Sequence, residues 1–221
     1  NKDATLQLAK TLLAMNQISE SIGIAARLVE EHEDMASAAA ALLLEAAAGL
    51  LAENRADEAL QVSRLAVTFA PEEPFAWIRL GDAHTLREEN TAAKDAWREA
   101  VMRAPDGPIT AEVARRLHET MNNEQRLEFW RDISNETPEA VTPIIHYARA
   151  LSRTGQPAQA LDLIKPLRRR HPDHEELSLS HGLLSCQCGN IEAGLTIING
   201  VTAVRSDLTA EAARELAAIA E

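Results

Sequence analysis

Four prolines recur at nearly constant spacing and constrain the fold of this chain more than any other feature. Pro71 and Pro105 are 34 residues apart, Pro138 follows 33 residues later, and Pro172 follows after another 34. Proline lacks a backbone N–H and its ring crowds the preceding turn, so it stops a helix when it stands just beyond one. A helix-stopping residue in one phase indicates a structural unit of about 34 residues that is repeated along the chain.

The segment 74–107 is the clearest copy of this unit, and it predicts two helices that bury one another. Its inward-facing residues have the i, i+3, i+4 spacing of a helix face; they are Trp77, Leu80, Gly81, Ala93, Trp97, Ala100 and Val101. The small residues let two backbones approach closely, and the tryptophans fill the volume around them. One helical hairpin leaves an apolar face open to water, so the unit requires neighbours.

The composition also favours helices. Hydrophobic residues make up 46% of the 221 residues but aromatic residues only 3%, so the core has to be built mainly from alanine and leucine. These two residues are strong helix formers, whereas the β-branched residues that favour strands are sparse. We therefore predict an all-α protein.

The spacing of Trp77, Leu80, Gly81, Ala100 and Pro105 resembles the 34-residue tetratricopeptide repeat. The resemblance implies a right-handed α-solenoid formed by one domain over residues 1–221, with a non-catalytic role in protein binding. About six helix-turn-helix repeats are expected, at approximately 2–35, 40–73, 74–107, 108–140, 141–174 and 175–208. Residues 209–221 are expected to form a C-terminal capping helix that covers the last apolar face.

The weakly charged run Met35–Ala52 raises the question of a membrane span. It is rich in alanine and carries Glu45 near its middle, whereas a span needs about 20 strongly apolar residues. We interpret it as a buried helix and predict no direct membrane insertion. The sequence also contains no nucleophile or metal-ligand motif, and it predicts no enzyme activity, no catalytic residues, no metal site and no cofactor.

The net charge of −12 argues against nucleic acid as a partner, because a chain of this charge repels phosphate. The charge is unevenly distributed. Residues 108–174 contain 10 basic and 9 acidic side chains, whereas residues 1–107 contain 10 and 18. A protein or peptide is therefore the expected partner.

In the repeat family that the chain resembles, the first helix of each repeat lines a concave face along which ligands lie. Carried over by position, the resemblance implies a partner-binding groove lined by Leu44, Leu51, Phe75, Ile78, Asp82, Arg115, His118, Arg149 and Arg153. An apolar stretch that leads into arginines suits a peptide with a hydrophobic segment and a carboxylate. The alternative is that these arginines are solvated or pair with neighbours such as Glu112, Glu119 and Asp162.

We therefore expect a protein-interaction module that binds a partner segment in its groove and forms part of a larger protein or complex. The alternative is a structural scaffold of a bacterial envelope, secretion or polysaccharide-export assembly, self-associating through its end repeats. Catalysis would need a further domain. The chain begins at Asn1 without a methionine, as a fragment or a mature form does. The bacterial cytoplasm and the periplasm are both compatible with the sequence as its compartment.

Overall fold

A computed structural model describes the chain from residue 1 to residue 220, the side chains of Ala218 and Ala220 excepted. Over these residues it consists of helices and turns, with no strand, and the predicted all-α solenoid class is confirmed. Glu221, the last residue of the predicted capping helix, lies outside the described residues. The helices are α1 Lys2–Ala14, α2 Ile18–Glu31, α3 Ala36–Ala52, α4 Ala56–Phe69, α5 Pro74–Leu86, α6 Asn90–Arg103, α7 Pro108–Thr120, α8 Asn123–Glu136, α9 Val141–Arg153, α10 Pro157–Arg170, α11 Glu175–Gln187, α12 Ile191–Val204 and α13 Thr209–Ala220.

The chain divides into two compact units, and the first comprises Asn1–Ala104. Its helices α1 to α6 each pack against the next in sequence. Alanine and aliphatic side chains of α2 to α5 form its apolar core, in which Leu43, Ala47, Val62 and Ala66 are almost completely buried. The scarcity of large side chains brings these helices close together.

The second unit comprises Pro105–Glu221 and is described here as far as residue 220. Helices α8 to α11 pack in sequence around a core that includes Ile145, Ile164 and Leu177. A separate apolar cluster joins α11, α12 and α13, and it includes Leu179 and Leu183 of α11. This cluster is where the C-terminal helix attaches to its unit.

The same backbone turn reverses the chain within five of the helical hairpins. Between the two helices one residue adopts the left-handed conformation, and the next residue donates its N–H to the carbonyl five positions earlier at 2.8–2.9 Å. The left-handed residues are Asn16, Asn54, Glu88, Gly155 and Gly189. This hydrogen bond satisfies a carbonyl that the end of the helix leaves open, as in the Schellman motif.

The hairpin of α7 and α8 uses a different turn that is one residue shorter. Only Met121 and Asn122 separate its helices, whereas the other five turns have three residues. Asn122 accepts a hydrogen bond from the backbone N–H of Gln125, whose side chain bonds back to the Asn122 N–H. This capping box replaces the left-handed residue, and the missing residue accounts for the 33-residue interval between Pro105 and Pro138.

The prolines that define the repeat lie where the second helix of a hairpin ends. Pro71, Pro138 and Pro172 each follow directly after the residue that terminates α4, α8 and α10, and Pro105 follows the terminating residue of α6. After α2 and α12, where the sequence has no proline at this place, the short 3-10 turns Glu33–Met35 and Ser206–Leu208 are found instead.

Gly81 permits the closest packing in the hairpin of α5 and α6. A Cβ atom built on Gly81 would fall inside the Trp97 indole, 2.9 Å from Cε2. Trp97 is only 1% exposed, so the ring has no room to move away. The predicted close approach of the two backbones is therefore enforced by a flat ring lying directly against a glycine.

The alanine-rich segment Glu33–Ala52 is long and apolar enough to cross a membrane by length and composition alone. In the structure it comprises a 3-10 turn followed by α3. One side of α3, including Ala39, Leu43, Ala47 and Leu50, is buried within the first unit. These side chains thus have protein neighbours.

Replacing Glu88 with glycine is expected to stabilise the protein by about 0.5–1 kcal/mol. Glu88 is exposed and has a φ of 60°, a conformation that is unfavourable for a residue with a Cβ atom and open to glycine. Urea unfolding monitored by circular dichroism measures the change. Glu88→Ala keeps the Cβ atom and serves as the control; an equal gain in both variants would contradict the explanation.

Replacing Gly81 with alanine is expected to destabilise the protein by about 1–3 kcal/mol, because the new methyl group overlaps the Trp97 ring. Gly49→Ala is the matched control. Gly49 lies within α3, and a Cβ atom there would meet no other atom within 4 Å, so alanine should raise stability by up to about 1 kcal/mol through its helix propensity. Urea unfolding of both variants should give opposite signs, and a neutral Gly81→Ala would refute the steric argument.

Candidate functional site

The predicted groove residues of the first unit differ in their accessibility. Phe75 is the most exposed, at 48% of its surface, and Leu44 and Leu51 are half-buried. Asp82 is half-buried and forms an ion pair with Arg79 at 3.6 Å, one turn earlier on α5. Ile78 is completely buried and presents no surface to a partner.

In the second unit, Arg115 is held by carboxylates of its own helix. Its guanidinium bonds to Glu119 at 2.6 Å and to Glu112 at 3.2 Å. The hydrogen bonds and charges of Arg115 and Arg116 lower the pKa of Glu112 to about 2. These two partners are the ones that the solvated-or-paired alternative predicts for Arg115.

The structure brings three of the predicted groove residues, His118, Arg149 and Arg153, together around one small cavity. The cavity has a volume of about 130 Å³, and it is lined by Ala114, His118, Asn123, Arg126, Trp130, His146, Arg149, Ala150 and Arg153. Helices α7, α8 and α9 each contribute to this lining. We call it the basic cavity.

Arg126 contributes a positive charge to the basic cavity. Its guanidinium bonds to the side chains of His118 and Asn123. Burial, together with the charge of Arg153, lowers the pKa of Arg126. An anion entering the cavity would therefore relieve repulsion between like charges as well as form charge-assisted hydrogen bonds.

Trp130 and His146 form one wall of the basic cavity. Their rings are stacked, with centroids 4.7 Å apart and planes 22° from parallel. Burial, aided by the charges of Arg149 and Arg153, lowers the pKa of His146 to about 3. The imidazole is thus neutral at pH 7, and this wall is an aromatic stack rather than a further cation.

Arg149 and Arg153 also reach the C-terminal helix. Arg149 donates to Glu211 at 2.7 Å and Arg153 donates to Glu215 at 3.1 Å, so two arginines one turn apart on α9 match two glutamates one turn apart on α13. Asp162, the partner suggested from the sequence, is bonded instead to Lys165.

Arg126, Trp130 and His146 are cavity residues that the sequence reasoning did not select. The sequence does contain one indication for Arg126. It occupies a position where the repeat normally has alanine, and a charged residue in place of a small packed one can indicate a binding role. The stacking of Trp130 on His146 depends on how α8 and α9 meet, which the repeat pattern does not specify.

A protein-family model described as ChAPs (Chs5p-Arf1p-binding proteins) matches residues 1–103. No curated protein sequence has a significant match to the chain.

Solved structures similar to this one are helical-repeat proteins. The C-terminal part of a TPR repeat-containing protein from Cytophaga hutchinsonii is 12% identical and has a TM-score of 0.52, over 97% of this chain and 84% of that chain. YrrB, described as a TPR protein with an unusual peptide-binding site, is 16% identical with a TM-score of 0.47, over 83% and 93%. MamA from MSR-1 is 12% identical with a TM-score of 0.44, over 76% and 97%.

The likeness to the Cytophaga protein places this chain among proteins built from tandem helical hairpins. Its fold is that of tetratricopeptide-repeat proteins, and the resemblance predicted from the sequence is confirmed at the level of the fold.

The low pKa of His146 predicts a loss of stability in mild acid. As the pH falls below the ordinary value of 6.5, the unfolded chain takes up a proton at this residue before the folded protein does, so the stabilisation present above pH 6.5 is lost down to about pH 3. Protonation of His146 in the unfolded chain should by itself lower the free energy of unfolding by about 2 kcal/mol between pH 7.5 and pH 5.0.

His146→Phe keeps a ring against Trp130 but cannot titrate, so its unfolding free energy should fall less over the same pH interval. Urea unfolding at pH 7.5 and pH 5.0 measures the difference between the wild type and the variant. An equal fall in both proteins would show that His146 does not cause the acid sensitivity.

Proposed function

We propose that the chain is a non-catalytic protein-interaction module, part of a larger protein or complex, that binds a segment of a partner along the faces formed by its odd-numbered helices. The repeat fold supports this role, because within each unit the stacked hairpins present a surface made of side chains from several helices. Phe75 provides an exposed apolar contact in the first unit. Arg149 and Arg153 of α9 provide charged contacts in the second.

The observation that carries the proposal is the basic cavity with its three arginines. Each guanidinium offers five N–H donors in a fixed plane. Within residues 1–220, Arg149 bonds to Glu211 and Arg153 to Glu215, each through one nitrogen, and the other donors of each guanidinium can serve a ligand. Carboxylates match such planar donors in pairs, so an Asp or Glu side chain or a terminal carboxylate is the ligand group that fits.

A protein segment suits this cavity better than a nucleic acid. A carboxylate is small enough for a cavity of about 130 Å³. A nucleic acid would have to approach a chain of net charge −12, which repels phosphate at long range.

The scaffold alternative has one specific observation in its favour. Of the large hydrophobic side chains that are exposed, several lie on the first and last hairpins: Leu8, Met15, Ile191, Leu195 and Val204. Val204 is 76% exposed at the end of α12. Apolar side chains exposed at the ends of a repeat array provide surface through which copies can associate.

Site-specific photocrosslinking in cells of the source organism tests both roles. Benzoylphenylalanine is placed at Phe75 and Arg115, as groove positions, at Arg64 of α4 as an exposed control in a second helix, and at Val204. We expect the groove positions to yield at least 10-fold more of one partner than Arg64 yields. Mass spectrometry should identify that partner and show a carboxylate-bearing segment at the crosslink.

Crosslinking of Val204 to another copy of the chain, with no partner at Phe75 or Arg115, would support the scaffold and overturn the groove proposal. A partner recovered equally from all four positions would also count against groove binding, because its contact would not depend on the face of the helices.

A further inference from the structure

The C-terminal helix lies against the surface that the repeat pattern assigns to ligand. By the position rule that selects Ile78 and Asp82 on α5, Leu179 and Leu183 of α11 occupy groove positions of the last repeat, yet they are 0% and 8% exposed. Cys186, the next such position, faces α12, where its Sγ lies 3.7 Å from the Ile191 carbonyl oxygen. The apolar cluster to which they belong also contains Ile198 and Val201 of α12 and Ala212 of α13, and Leu216 and Ile219 of α13 pack against this cluster. Helix α13 therefore contributes to covering this part of the groove.

The charges of α13 complement those of α9. Glu211 and Glu215 follow one another by one helical turn, and they bond to Arg149 and Arg153, which have the same spacing. An apolar stripe on α11 and an arginine pair on α9 are thus both engaged by one acidic, amphipathic helix. A hydrophobic segment with carboxylates is also the kind of ligand that the groove residues predict.

Two features make this contact exchangeable. The side chains of the ion pairs are 30–43% exposed, so water and salt weaken them. The apolar contact is also small, because the best-buried of the α13 side chains that the structure describes is an alanine, Ala212, and Leu216 and Ile219 are only partly buried.

The fit between α13 and the groove is also incomplete. A cavity of about 470 Å³ remains between α9, α11 and α13, lined by residues that include Ser152, Ser180, Leu183, Gln187 and Arg214. A helix with larger side chains on its apolar face would fill this space and bury more surface than α13 does.

We infer that α13 is an exchangeable occupant of the groove formed by α9 and α11. The partner of this groove is an amphipathic helix with two carboxylates one turn apart, and it binds by displacing α13. The inference rests on the proposed function, since it assigns a ligand class and a regulation to the same face of the second unit.

The test uses the full chain and a fluorescent peptide that copies residues 206–221, SDLTAEAARELAAIAE. In the variant Glu211→Lys with Glu215→Lys, the resident helix is repelled by Arg149 and Arg153 and the groove opens. Fluorescence anisotropy should show that this variant binds the peptide at least 10-fold more tightly than the wild type. A peptide in which Glu211 and Glu215 are changed to glutamine should bind the variant at least 10-fold more weakly than the original peptide.

The matched control is Glu124→Lys with Glu192→Lys, which makes the same charge change at two exposed positions of the second unit. Its affinity for the peptide should equal that of the wild type. Hydrogen exchange confirms that the open variant is folded: exchange should accelerate in residues 209–220, while α9 and α10 keep their protection.

Three outcomes would overturn the inference. The open variant could bind the peptide no better than the wild type while remaining folded. The control could gain affinity equally, which would show a general effect of charge. Light scattering could show a dimer formed by exchange of α13, making a second copy the occupant. Crosslinking at Phe75 and Arg115 does not depend on α13, so failure here leaves the proposed function separately testable.

Discussion

The reversal between the two helices of a hairpin is the constraint on which the rest of the structure depends. One residue in the left-handed conformation, followed by a hydrogen bond to a carbonyl five positions earlier, sets where the second helix starts. Five of the described hairpins share this turn, so their inward faces recur in the same phase. Contacts such as the ring of Trp97 against Gly81 can form only because that phase is kept.

The repeat fold could be predicted because its signals are local. A proline that stands just beyond a helix cannot continue it, and the apolar spacing of segment 74–107 identifies two helix faces without tertiary knowledge. Other features depended on neighbours. Glu88 occupies the left-handed position of its turn, where the other four such turns have glycine or asparagine. The helices on either side therefore impose this turn against the local preference of the residue.

The candidate site was predictable only in part, because position within a repeat identifies a face but not a partner. His118, Arg149 and Arg153 were selected by position, and the structure places them around one cavity. Arg126 enters that cavity from α8, the second helix of its hairpin. It was not selected, because the repeat family predicts that only the first helix of each hairpin lines the groove. The sequence predicted that α13 covers the last apolar face. It did not predict the pairing of Glu211 and Glu215 with Arg149 and Arg153, because those arginines lie 62 residues earlier on another hairpin.

The two-residue turn between α7 and α8 has a consequence for comparing this chain with other repeat proteins. Every residue after Met121 is displaced by one position relative to a strict 34-residue register. A profile with a constant period would therefore align Arg149 with the inward-facing Gly81 of α5 in place of the groove residue Asp82. Alignments of related sequences need a one-residue gap at this turn, in place of the residue that elsewhere is left-handed.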